Sequence, residues 1–249
     1  MWYDSNIIDA SIDEECDARR REGLSDDAFS AIARVGILCN NARFMEQDSS
    51  KPIGCWECTG NDWEIGLLKY FEITIGDVWY IRNRNKKVAE IPFDPIKRYQ
   101  VSIHEQQNDG QHLLVMKGAP ERILEKCTKF FYKDQEELLD DDRKEQFNSA
   151  ILELGKMGKR VMAFCYHYLP TDEFPVGFDF DVSEPNFPLD NLVLAGLVAF
   201  DDYPRTNVRE AVDLCRQAGV KPVLVSGDHP ATVEAYARCK LWILYNHYL

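Results

Sequence analysis

The chain has 249 residues, 45% of them hydrophobic and 12% aromatic, enough apolar mass to bury a core, which excludes a disordered chain. Lys and Arg number 29 against 42 Asp and Glu, a net charge of −13, which argues against binding nucleic acid or an anionic membrane through bulk charge. The longest apolar run, LVLAGLVAF at 192–200, falls well short of the roughly 20 residues a membrane-crossing helix needs.

In chain order, Ser25-Asp26-Asp27 reads as a helix start, and Phe29, Ile32, Ala33 and Ile37 then share one helical face. Cys55 and Cys58 make a lone Cys-Trp-Glu-Cys with no further ligand at zinc spacing, so no metal is expected. The eight scattered cysteines read as cytosolic thiols, and no secretory signal opens the chain. A short helix is expected over 62–72, with Trp63, Leu67 and Phe71 aligned. The period then changes. KKVAEIPF, YQVSIHE (99–105) and HLLVMKG (112–118) read as antiparallel strands joined by turns.

PERILEKC begins a helix with Pro120 in its first turn. The acidic run 136–142 reads as a solvated helix start. Phe147, Ala150, Ile151 and Leu154 mark an amphipathic helix ended by Gly158, and RVMAFCYHYL (160–169) is a strand. The Pro- and Phe-rich stretch 170–190 is a candidate boundary. Beyond it, LVLAGLVAF reads as a fully buried parallel strand. A helix over 205–219, stopped by Gly219, and a second buried strand, KPVLV, would complete a parallel crossover. The expected fold class is an α+β domain over 1–188, an antiparallel sheet flanked by helices, followed over 189–249 by part of an α/β domain.

Singly, each polar residue near these turns has an ordinary explanation: Lys117 a surface lysine, Gly118 a tight turn, Arg160 a strand-edge charge. Together and in order, FDPIKRYQ, MKGAPERIL, GKRVMAFC, DDYPR and SGDHPAT resemble the cytoplasmic portion of the P-type cation-transporting ATPases, in particular those of the sodium/potassium and proton/potassium type. No Walker loop occurs.

The resemblance implies an ATP-binding domain followed by the start of a haloacid-dehalogenase-like phosphorylation domain. It assigns adenine stacking to Phe93, and pocket positions to Glu64, Arg98, Gln100, Lys117, Gly118, Ala119 and Arg160. Asp202 and Arg205 match the family's Asp-Pro-Pro-Arg segment, and Ser226, Gly227 and Asp228 its Thr-Gly-Asp. An aromatic face suits a flat base, and fixed cations suit phosphates. ATP is the implied ligand, with magnesium only as its complex. The implied partners are the remaining pump domains and a beta subunit, at the cytoplasmic face of a membrane.

Several departures accompany the match. Asn61 and Trp63 stand where the family has an aspartate and a serine, Arg98 where it has a lysine, and Pro95 alters the turn. The aspartyl-phosphate motif Asp-Lys-Thr-Gly-Thr does not occur, and the chain is expected to begin downstream of it. Without that acceptor no phosphoryl transfer is expected from this chain alone. A stand-alone, non-catalytic nucleotide-binding or pump-regulating module is the competing reading. A dehalogenase-type phosphatase fails for want of the nucleophile.

Overall fold

A computed structural model of the chain describes residues 1–8, 27–45 and 51–240. They fall into two compact units: Met1–Asp141 with Met162–Val198, and Asp142–Val161 with Ala199–Leu249.

The first unit opens with a hairpin, β1 (Trp2–Tyr3) and β2 (Asn6–Ile7), turned by Asp4 and Ser5 at φ 47° and 60°. Helix α1 (Asp27–Leu38) follows. Phe29, Ile32, Ala33 and Ile37 are all buried, as their helical spacing predicts; Ser25 and Asp26 lie outside the described residues. A strand pair, β3 (Arg43–Phe44) and β4 (Cys58–Thr59), leads into α2 (Asp62–Thr74), where the Asn61 side chain accepts from the Glu64 amide at 2.9 Å and caps the first turn. Leu67 and Phe71 are buried as expected, whereas Trp63 sits half-buried at the margin of that face.

Helix α3 (Val78–Arg84) sends Arg82 back to the end of α1. Its guanidinium donates to the carbonyls of Ile37, Asn40 and Ala42 at 3.0, 3.1 and 2.7 Å, acceptors that a helix end leaves open. Burial lowers the Arg82 pKa to about 10, so the group stays charged at neutral pH.

Strands β5 (Asn85–Ile91), β6 (Tyr99–Gln106) and β7 (His112–Gly118) are antiparallel neighbours. Every residue of β7 is buried, and α1 packs against it. A short helix, α4 (Pro120–Leu124), stops sooner than expected because the chain at once extends into β8 (Cys127–Tyr132) and turns back as β9 (Gln135–Leu138). The acidic run is thereby divided: residues 136–138 belong to β9, and helix α5 (Asp141–Lys156) begins after them.

Strands β10 (Arg160–Tyr168) and β11 (Leu192–Phe200) complete a nine-stranded sheet in the order β2-β1-β11-β10-β7-β6-β5, with β8 and β9 attached to β11. Between them, residues 170–187 form no regular element but carry a ring cluster. Phe174 and Phe180 stack at 6.1 Å, and Phe180 meets Phe187 edge-on at 5.8 Å. His112 Nδ1 donates to the Phe174 carbonyl at 3.1 Å, fixing this segment to the sheet.

The position of β11 corrects the sequence expectation. It runs antiparallel to β1, with Trp2 opposite Leu197, and parallel to β8 over Leu192–Leu194. Its other edge is occupied by β10. The apolar run is continuous because the strand is central, not because it belongs to a parallel crossover. Residues 221–225 form no strand, and Val223 and Val225 are 76% and 87% exposed.

In the second unit, α5 buries Phe147, Ala150 and Leu154, and Gly158 ends that stretch at φ 70°. Helices α6 (Val208–Gln217) and α7 (Pro230–Lys240) follow. A Cβ at Gly155 would stand 2.9 Å from Thr232 Oγ1, so the glycine lets α7 approach α5. No residue of α6 is fully buried: of its expected apolar face, Val208 and Val212 are half-buried and Ala211 and Cys215 are exposed among the described residues.

Candidate functional site

In the first unit, α2 and the β6–β7 pair bring Glu64, Gln100 and Lys117 together. Gln100 and Lys117 are opposite one another in register, and Lys117 Nζ donates to Glu64 Oε1 at 2.7 Å. Both members of this ion pair are about 6% exposed at the side chain. Removing one partner of such a pair leaves a buried charge and costs several kcal/mol. Lys117 therefore serves the fold whatever else it does.

Gln100 is held from the other side, its Nε2 donating to Glu90 Oε1 at 2.9 Å. Burial pushes the Glu90 carboxyl up, but hydrogen bonds from Lys87, Asn41 and Gln100 together outweigh it and hold the group below the usual range. The Cys39 thiol donates to the Gln100 carbonyl at 3.6 Å, and burial raises its pKa. Sequence reasoning missed Asn41 and Glu90. Glu90 and Gln100 meet as a diagonal pair across antiparallel strands, a relation visible only once register is known.

Phe93 stands in the β5–β6 loop and is 59% exposed. The same loop is closed at Arg98, whose amide donates to the Asp94 carbonyl at 2.6 Å. Arg98 Nη1 ion-pairs with Glu121 Oε1 at 2.5 Å, and its carbonyl accepts from the Ala119 amide at 2.9 Å. A Cβ at Gly118 would lie 2.5 Å from the Arg98 carbonyl oxygen and 2.7 Å from Tyr99 Cβ. Glycine at 118 is thus demanded by the close passage of β6, and Ala119 starts α4 as its N-cap.

In the second unit, Arg160, at the first position of β10, gathers two carboxylates. Its Nε lies 3.1 Å from Asp228 Oδ2 and its Nη1 3.5 Å from Asp202 Oδ2. Ser226 Oγ donates to Asp228 Oδ2 at 3.1 Å and accepts from the Asp228 amide at 3.1 Å, a tight turn through Gly227. Ser226 and Asp228 help line a cavity of about 390 Å³ against α7. Arg205 is exposed and, among the described residues, its side chain joins neither cluster. Among the described residues no group of three or more His, Cys, Asp or Glu side chains could hold a metal ion.

The first unit is a largely antiparallel sheet flanked by helices, an α+β architecture, with Phe93 in the β5–β6 loop and the buried Lys117–Glu64 pair joining β7 to α2. The profile of the P-type ATPase, cytoplasmic domain N, matches residues 28–207. The chain belongs to that family. It is 47% identical over 240 residues to the sodium/potassium-transporting ATPase subunit alpha of Drosophila melanogaster, which covers 96% of this chain and 23% of that protein. It is 44% identical over 244 residues to subunit alpha-3 of Homo sapiens, covering 96% and 24%, and 43% identical over 243 residues to the subunit alpha of Hydra vulgaris, covering 96% and 23%. The chain thus spans about a quarter of the length of these relatives. No helix among the described residues is long and apolar enough to cross a membrane.

Proposed function

We propose that the chain binds ATP as the cytoplasmic nucleotide domain of a sodium/potassium-type P-type pump. Membership of the cytoplasmic N-domain family supports this reading, and one structural observation carries it: Phe93, an apolar aromatic residue, is 59% exposed in the loop that leads into β6, the strand on which Gln100 stands opposite Lys117. In this reading Phe93 stacks on the base, and Glu64, Gln100, Lys117, Gly118 and Ala119 form the wall beneath it. Arg98 meets the phosphates. Magnesium arrives as the counter-ion of ATP.

Asp202, Arg205, Ser226, Gly227 and Asp228 belong, in the same reading, to the phosphorylation side. Of the expected phosphorylation segment 189–249, β11 belongs to the first unit's sheet, and the residues after it are the start of a haloacid-dehalogenase-like domain. The exposed valines of 221–225 and the largely exposed α6 support this, since both have the chemistry of elements completed by further sheet. The pump's other domains and a beta subunit are the proposed partners, at the cytoplasmic face of a membrane. Ion transport and phosphoryl transfer are assigned to that whole assembly, since the Asp-Lys-Thr-Gly-Thr acceptor does not occur in this chain.

The test is a calorimetric titration of the chain with magnesium-ATP, repeated on Phe93→Ala. Stacking on an aromatic ring is worth about 1–3 kcal/mol per base, so affinity should fall about tenfold or more while the fold, in which this residue is exposed, is kept. Lys117→Ala is the poorer probe, because it also strands the buried Glu64 carboxylate. A folded wild-type chain that gives no saturable heat with millimolar ATP would sink the proposal.

A further inference from the structure

Glu121 has no role in the reading above, yet it holds the guanidinium group assigned to the phosphates. Arg98 closes the loop that carries Phe93, with φ at 62° and its amide bound to the Asp94 carbonyl. Its carbonyl is bound to the Ala119 amide, so the backbone fixes where this side chain begins, beside the β7–α4 turn. From there Nη1 reaches Glu121 Oε1 in the first turn of α4. The two side chains are 38% and 54% exposed. A pair so exposed is weak, and the several charges of a triphosphate compete strongly with one carboxylate for a guanidinium fork.

Resting on the nucleotide reading, we propose that Glu121 is a displaceable counter-ion, which parks Arg98 in the nucleotide-free chain and yields it to the phosphates when a nucleotide enters. Glu121 is then a positioning residue that acts through Arg98 and touches no nucleotide. Its influence grows with the number of phosphates, and it has no bearing on the base.

The experiment is a calorimetric titration of the full chain with AMP, ADP and ATP. It compares wild type, Glu121→Gln, Arg98→Ala and the double variant, with Glu125→Gln as a control of equal charge change on the same segment. Glutamine keeps the shape of residue 121 and the helix start. Glu121→Gln should tighten ATP by up to about fivefold, the range open to an exposed ion pair, and AMP by less. Glu125→Gln should do neither, and the gain should vanish when Arg98 is alanine. A gain that persists without Arg98, or that Glu125→Gln reproduces, would mean that the lost charge acts through space, and the proposal falls. An unchanged Glu121→Gln in a chain that does bind ATP overturns this proposal alone. A wild type that binds no nucleotide overturns the functional reading and this one with it.

Discussion

His104 lies on β6 at 2% exposure. Its Nδ1 donates to the Asn85 carbonyl at 3.0 Å, which leaves Nε2 to accept from the Ser102 hydroxyl at 2.9 Å. Burial, chiefly, lowers its pKa to about 4 from 6.5. The unfolded chain therefore takes up a proton between about pH 6.5 and pH 4 that the folded chain refuses. Stability must rise with pH across that window and fall as the solution is acidified, by about 3 kcal/mol for this group once pH drops below both values. Urea unfolding at a series of pH values, wild type beside His104→Gln, reads the effect: the variant should show a shallower loss between pH 6.5 and pH 4, and identical slopes would refute it.

At the scale of elements, the Lys117–Glu64 pair joins β7 to α2. Glu64→Leu should destabilise the chain by about 3 kcal/mol or more, since it leaves a buried ammonium without its partner, and adding Lys117→Met should restore much of that. Denaturant midpoints for the two single variants and the double one decide it; simple additivity would mean that the pair is not coupled.

Elements whose residues repeat with a clear period were legible in the sequence. The buried stripe of α1 and the strands β6, β7 and β10 lie where their apolar residues require. The two hairpins β1–β2 and β8–β9 were not. Their turns use Asp4-Ser5 and Lys133-Asp134 with φ positive at both positions, a geometry usually announced by Asn-Gly or Asp-Gly, and neither pair contains glycine. The error over residues 192–225 has a different origin. A continuous apolar run shows that a strand is covered on both faces, and says nothing of which strand lies beside it. Of the site, Phe93 stands in the β5–β6 loop and Arg205 joins neither group, whereas several other residues named by motif gather around Lys117 or around Arg160. Asn41, Glu90 and Glu121, which hold them, carry no local signal, because each acts on a residue at least ten positions away or on another element.

At the scale of the whole molecule, the two units differ in how completely they are closed. The core of the first includes Val101, Ile103, Leu113 and Phe164, all at 1% exposure or less. In the second, no residue of α6 is fully buried and Leu214 is 56% exposed. Local opening follows the density of buried contacts, so amides of β6 and β7 should exchange with deuterium orders of magnitude more slowly than those of 208–225. Comparable protection in both regions, measured by mass spectrometry on the intact chain, would mean that the α6 face finds a cover in solution.

The pairing of β1 with β11 carries a consequence for how such a unit travels between proteins. Trp2 stands opposite Leu197, so the first and last strands of the first unit are neighbours. A body whose entrance and exit share one seam can be spliced into a host loop without prising the host's own ends apart, and the host feels only the narrow width of two neighbouring strands.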